Sequence, residues 1–305
     1  MRTMKNIILY TSCFLSVFTT FSQQDAQSSM YFHNPLQFNS AYAGTRGSLN
    51  VTGVTRAQWL GWEGAPTTQF LSIHSPVVRK KIAVGATLSH DKIGARSSTS
   101  AMAHFAYHLQ LNAKDLKLSF GASAGVNQAQ YNFSGLIATD YSDLNYQQSN
   151  SFVKSNFGLG TYLYNKKFYA GISMPRLLKR SMESNSGGSF LQRHIYLMAG
   201  YVYSLNSVIA LKPSVLIKYT ANSSAVADFN FSAQFYKKFW VGVLYRAHDA
   251  IGFNAAFQLK DYCMLGYAYD FPINGKLVNQ WGSHEVVLSF DLRTKNNAFL
   301  SPRYF

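Results

Sequence analysis

From about residue 49 onward, the hydrophobic residues of this chain recur at every second position. In 225–235, Ala225, Ala227, Phe229, Phe231, Ala233 and Phe235 alternate with Val226, Asp228, Asn230, Ser232 and Gln234. The stretches 116–127, 208–219 and 251–260 repeat the pattern. A strand turns successive side chains to opposite faces, so the apolar set falls on one face. The runs are about 8–13 residues long, whereas soluble strands usually have about 5 or 6. A tilted strand crossing a bilayer needs about 9–11. Length therefore selects a membrane sheet over a sandwich or propeller.

About fourteen such runs can be marked: 49–57, 67–77, 81–91, 99–109, 115–126, 152–164, 167–174, 193–204, 208–220, 225–236, 238–246, 250–260, 262–271 and 283–293. Backbone groups facing lipid must all be paired, so such a sheet has to close. The expected fold is an all-β, transmembrane antiparallel β-barrel of about 14 strands, with both chain ends in the periplasm. Composition agrees. Aromatic residues are 15% of the chain and charged residues only 13%, against about 25% charged in an average soluble domain. A sheet with one lipid face and one polar face produces this mixture.

The connections alternate in length. Short polar ones fall at 78–80, 109–114, 165–166, 205–207, 237–238 and 260–261, and mostly longer ones at 58–66, 92–98, 127–151, 175–192, 221–224, 247–249 and 272–282. This is the pattern of periplasmic turns and extracellular loops. Tyr162, Tyr164, Tyr201, Tyr203, Tyr245, Tyr267 and Tyr269 lie towards strand ends, where interfacial girdles form.

Residues 1–22 read as a secretory signal: Arg2 and Lys5, an apolar run from Ile7 to Phe18, and the small-x-small site Thr20-Phe21-Ser22. The apolar run is shorter than the roughly 20 residues of a spanning helix. Cleavage there removes Arg2 and Lys5, so the formal charge falls from +15 to +13. Cys263 is then the single cysteine, which excludes an intramolecular disulfide. Residues 23–48 show no period and read as a periplasmic arm or a segment packed in the barrel. Residues 49–293 form the barrel and 294–305 a periplasmic tail.

At this point the chain resembles the PorP/SprF family of type IX secretion and gliding membrane proteins. The resemblance rests on Asn39-Ser40-Ala41-Tyr42-Ala43-Gly44, Arg56-Ala57-Gln58-Trp59 and Gly64-Ala65-Pro66-Thr67-Thr68. Asp91-Lys92-Ile93-Gly94, Ala106-Tyr107-His108, Leu118-Ser119-Phe120-Gly121 and the ending Ser301-Pro302-Arg303-Tyr304-Phe305 add to it. Ser40 stands where the family usually has Pro. The resemblance covers nearly all of the mature chain. It implies a non-enzymatic outer-membrane component of the type IX secretion and gliding machinery. Such a protein helps export or anchor a secreted surface protein, an adhesin for example, by binding its C-terminal domain. The implied partners are that substrate, other type IX components, and outer-membrane lipid and lipopolysaccharide.

Candidate partner-binding residues fall in the outer connections. Arg56, Gln58, Trp59 and Trp62 surround the first outer hairpin, and aromatic and Arg side chains are common binding anchors. Loop 127–151 carries Tyr131 and Tyr141, and loop 175–192 carries Arg176, Lys179 and Arg180. The alternative for that first cluster is a packed hairpin cap. Lys117, Lys154, Lys212, Lys218, Arg246 and Lys260 fall on the inward face, opposed by Asp228 and Asp291. They can steer an acidic polypeptide or simply line a wet lumen. The basic charge is dispersed over hairpins, which argues against nucleic acid as a partner. His104 and His108 share a strand face about 13 Å apart, too far for one metal. No HExxH, GxSxG, P-loop or paired-Cys motif is present, so neither catalysis, a metal nor a cofactor is expected. Two other readings remain at this stage. A diffusion porin or substrate channel would conduct ions in planar bilayers. A lipid hydrolase would lose turnover on replacement of one Ser.

Overall fold

The computed structural model describes residues 27–78, 81–111, 115–132, 150–178, 180–181, 190–191, 193–221, 224–273 and 281–292. The signal sequence expected at 1–22, the tail expected at 294–305, Tyr141 and Lys179 lie outside the described residues.

Fourteen antiparallel staves form one closed barrel. They are β1 (Leu49–Ala57), β2 (Thr67–Val78), β3 (Ile82–Ile93), β4 (Arg96–Gln110), β5 (Lys117–Tyr131), β6 (Asn150–Tyr164) and β7 (Phe168–Met174). Then follow β8 (His194–Tyr201, resumed at Tyr203–Ser204 after a break at Val202), β9 (Ile209–Thr220), β10 (Val226–Phe235), β11 (Phe239–Arg246), β12 (Ala250–Lys260), β13 (Cys263–Pro272) and β14 (Ser283–Leu292). Each stave pairs with its neighbours in sequence. Closure is made by β1 against β14, in a register running from Leu49↔Leu292 to Ala57↔His284. The two pieces of β8 both pair with β9, so the fifteen strand segments of the sheet make fourteen staves.

The period-two reading places the faces correctly. On β10, Phe229 and Phe231 point out of the barrel while Asp228, Asn230 and Ser232 are buried inside. On β14, Val286, Leu288 and Leu292 point out, with Glu285, Ser289 and Asp291 inside. The short connections 79–81, 111–116, 165–167, 205–208, 236–238 and 261–262 share one end, which by this pattern faces the periplasm.

Four expectations change. The predicted outer loop at 92–98 is the two-residue turn Gly94-Ala95, because β3 and β4 run on to Ile93 and Arg96. The loop predicted from 127 begins only after Tyr131. In both places the strand continues after its outward residues turn polar, as Ser97, Thr99, Gln128 and Gln130 do, so hydrophobic period ends before hydrogen bonding does. Tyr162 is buried, and it and Tyr164 sit on the lumen-facing positions of β6 rather than on an outer girdle. Lys260 is exposed beyond a bulge at Gln258/Lys260 instead of facing the lumen.

The lumen is filled by residues 27–48. Three 3-10 turns, Tyr31–His33, Pro35–Gln37 and Ser40–Tyr42, fold this segment into a compact plug. Met30, Tyr31, Phe32, Leu36, Phe38, Ala41, Tyr42 and Ala43 are all buried. Each large apolar side chain so placed stabilises the plugged state by about 1.5–3 kcal/mol relative to exposure. The wall is shaped to receive it. Any side-chain carbon at Gly121 would overlap the backbone of Ala41. Tyr42 packs edge-on against Tyr162 at 5.6 Å and His74 at 5.5 Å. Polar wall groups meet the plug backbone, Ser173 donating to Phe38 O (2.8 Å) and His108 Nε2 contacting Ala43 O (2.9 Å), while the plug's Asn39 Nδ2 donates to the wall backbone at Thr161 O (2.9 Å). The plug leaves the lumen through Gly44, whose φ of +75° and contact with Ala83 exclude a side chain.

Candidate functional site

The plug runs from the outer end of the barrel to the inner end, where β1 begins. Its outer end is held by a buried charged cluster. Arg56 from β1, Lys218 from β9 and Arg246 from β11 face Asp228 from β10, Asp270 from β13 and Glu285 from β14. Arg56 lies 2.7 Å from Asp270 and 3.1 Å from Glu285. Arg246 lies 3.0 Å from Asp228 and 3.3 Å from Asp270, and Lys218 2.7 Å from Asp228. Three cations thus meet three anions in a water-poor interior, the condition under which buried charge is tolerated.

Glu285 also receives the plug. Ser28 Oγ (2.8 Å), Ser29 N (2.8 Å) and Met30 N (2.9 Å) all donate to its carboxylate. Arg56 donates to Ser29 Oγ at 2.7 Å, and Ser29 Oγ donates to Asp270. At the inner end Arg46 donates to Asp291 (3.1 Å) and to His33 O (3.1 Å). The segment is therefore clamped at both ends.

Beside the plug, a cavity of about 150 Å³ opens at the outer end under the walls of β2 to β6. Arg96, Arg176, Asp91, Asn127, Asn156, Ser98 and Ser100 line it, with Phe38 of the plug and Tyr196. Asp91 accepts from Thr68 Oγ1 at 2.6 Å. Enclosure lowers the proton affinity of Arg176 below the usual guanidinium range, while Tyr196 opposes that shift. Such a vestibule offers two guanidinium groups and a dense set of hydroxyls and amides to an extended, acidic ligand.

The residues singled out from sequence divide between these places. Arg56 is not in a contact loop: as part of β1 it shares the inward parity of Asn50 and Thr52, and the cluster above engages both of its terminal nitrogens. Gln58 is buried, and its N–H donates to Pro66 O at 2.9 Å. Trp59 has a φ of +48° and its N–H donates to Ser283 Oγ at 3.3 Å. Trp62 is 46% exposed on the outer rim, as is Trp281 at 76%. The two loops carrying them join through Leu60 N to Gly282 O (3.0 Å) and Trp281 N to Leu60 O (2.8 Å). Tyr131 ends β5 directly opposite Arg96 in the ladder. Arg176 lines the vestibule, and the backbone of Arg180 pairs with Leu191 in a short separate ribbon.

Sequence reasoning missed the plug's role and the vestibule residues Asp91, Arg96 and Asn156. A charged Arg96 standing just after a Gly-Ala turn was the available signal. His104 and His108 contact the plug, through Ser40 Oγ (3.1 Å) and Ala43 O (2.9 Å). No three-residue metal-ligating group occurs among the described residues.

The sequence matches the family described as type IX secretion system membrane protein PorP/SprF over residues 20–290. No curated protein matches it. Among solved structures, the CymD monoaromatic hydrocarbon channel is similar at 13% identity, covering 88% of this chain and 94% of that one with a TM-score of 0.52. Omp33, an outer membrane protein of Acinetobacter baumannii, is 9% identical over 80% of this chain and 98% of its own, with a TM-score of 0.48. At these identities the likeness to CymD speaks for the barrel fold alone. Family and barrel together place the protein in the outer membrane, and the chain belongs to the PorP/SprF family of type IX secretion system membrane proteins.

Proposed function

We propose that this protein holds a secreted protein at the outer face of the membrane, by binding its C-terminal domain at the outer loops and vestibule. It acts as a non-enzymatic part of the type IX machinery. The observation that carries this reading is the filled lumen beneath an open, basic vestibule. A plug clamped at both ends leaves no wide path for solutes, which weighs against the diffusion-porin reading, while the outer end presents Arg96 and Arg176. Loops on a rigid barrel are where binding usually sits. Other type IX components and lipopolysaccharide are further proposed partners of the same outer surface, and a role in gliding rests on the family resemblance.

Neutralising Arg176, Lys179 and Arg180 together is expected to shift the secreted protein from the cell surface into the medium. Barrel abundance and heat-modifiable gel migration should not change. The check is the ratio of surface-exposed to released substrate. Unchanged retention in the triple variant, with ion conductance appearing on loop deletion, would replace this reading with the porin.

A further inference from the structure

The longest staves are adjacent. β4, β5 and β6 have 15 residues each, whereas β7 has only 7. β7 stops at Met174, opposite Leu159 of β6. Above that level β6 continues through nine more residues, Asn150–Gly158, paired to β5 from Tyr131 to Ser123. On its other side the chain following β7 makes brief contact. Leu177 N donates to Phe157 O at 2.8 Å. The Asn156 side chain brackets Leu178, donating to its O at 3.1 Å and accepting from its N at 3.2 Å. Higher still, among the described residues, nothing pairs with that edge. In phase with Phe157, residues Ser151, Val153 and Ser155 turn their N–H and C=O groups towards it, because hydrogen-bonding direction alternates along a strand.

An open edge is a template for another strand, and natural sheets blunt it with Pro, bulges or charged side chains, of which residues 150–155 have Lys154 alone. Residues 150–155 contain no Pro or Gly, and outward Val153 is 60% exposed. On the inward side Lys154 is followed by Asn156 and, across the vestibule, Arg176 and Arg96. A strand laid along this edge would turn alternate side chains inward to these cations and the others outward to Val153 and Phe157.

We propose that the upper edge of β6 captures an extended strand of the secreted partner, adding it to the barrel sheet, with acidic side chains of that strand directed into the Arg96–Arg176 vestibule. Main-chain hydrogen bonds supply affinity in such strand addition and the pockets for alternate side chains supply selection. Ser151, Val153 and Ser155, each carrying an N–H and a C=O, span about 13 Å of strand with their intervening neighbours. This rests on the reading that the outer surface binds a secreted protein.

The test uses the full chain in detergent or nanodiscs and, as probe, a purified C-terminal domain of a type IX-secreted surface protein. Val153→Pro deletes an edge N–H without touching the β5 ladder, a position where Pro is tolerated. It is expected to weaken binding at least tenfold while heat-modifiable migration stays normal. In the wild type, amides of Ser151, Val153 and Ser155 should exchange freely alone and become protected when the domain binds. Binding that survives Val153→Pro, with these amides unprotected, overturns strand addition and leaves the proposed function standing. Protection of the same amides before the domain is added would mean that the chain's own loops occupy the edge, which also overturns it. Failure of the wild type to bind the domain overturns both.

Discussion

Replacing Glu285 by Ala is expected to destabilise the protein by about 3–5 kcal/mol, the usual effect of removing one partner of a buried ion pair. The substitution takes away a charge that Arg56 needs at 3.1 Å and leaves three buried positive groups facing the two buried carboxylates of Asp228 and Asp270, with the more exposed Asp249 3.6 Å from Arg246. It also orphans two backbone donors, Ser29 N and Met30 N, whose burial without an acceptor costs further. All these losses fall on the outer end of the plug. The variant should therefore show both a lower denaturant midpoint and ion conductance in planar bilayers, where the wild type should remain closed. Glu285→Gln, which keeps one acceptor oxygen, should lie between them. A Glu285→Ala protein with wild-type stability and no conductance would mean that the charged cluster does not hold the plug.

Phe231→Arg should cost about 2–4 kcal/mol, the effect of a cation near the middle of the lipid face. Phe231 lies near the centre of β10, 50% exposed in the isolated chain, and shares a ladder level with Val243 and, beyond it, Phe253. The guanidinium has no partner in hydrocarbon and the middle of a strand gives it little room to reach the interface. Asn230 next to it points the other way, donating to Ser232 Oγ at 2.7 Å and accepting from Asn254 at 2.8 Å. Asn230→Phe should therefore fail by overfilling the lumen instead. Urea or guanidinium titrations in lipid vesicles separate the two. If Phe231→Arg unfolds at the same midpoint as the wild type, the outer face of β10 is not in lipid.

Much of this architecture is written into the sequence because membrane and lumen impose opposite demands on alternate residues. The faces of β10 and β14 follow from that rule alone. The upper parts of β4 and β5 escape it. There both faces are polar, Gln128 and Gln130 on one side and Asn127 on the other, so the hydrogen-bonded strand carries no hydrophobic period. Tyr162 and Tyr164 share the parity of Asn156, Gly158 and Gly160, so their inward aim was legible, but an aromatic near a strand end also fits a girdle. The same holds for Arg56, in phase with Asn50 and Thr52. Its partners were beyond reach of inspection: parity says that Asp270 and Glu285 face inward, yet nothing local says that they meet an arginine more than 200 positions away. A place in the barrel was one of the two that the sequence left open for residues 23–48, but the shape of the plug was illegible for another reason. Three turns of 3-10 helix separated by one or two residues have neither period two nor 3.6, and their stability comes from the wall around them.

The placement of the plug also constrains the order of assembly. Ser28, Ser29 and Met30 reach Glu285 across separations of 257, 256 and 255 residues. Glu285 belongs to the final stave, the one that zips onto β1. The earliest described part of the chain thus finds its acceptor only when the latest part arrives. Such pairings close very large loops, which is the slow step in folding when contacts are this remote in sequence. Filling the lumen and sealing the seam become one event: the incoming β14 brings the carboxylate that the waiting segment needs. A chain truncated before residue 283 loses both at once, and should accumulate as an open sheet with residues 27–48 still outside it.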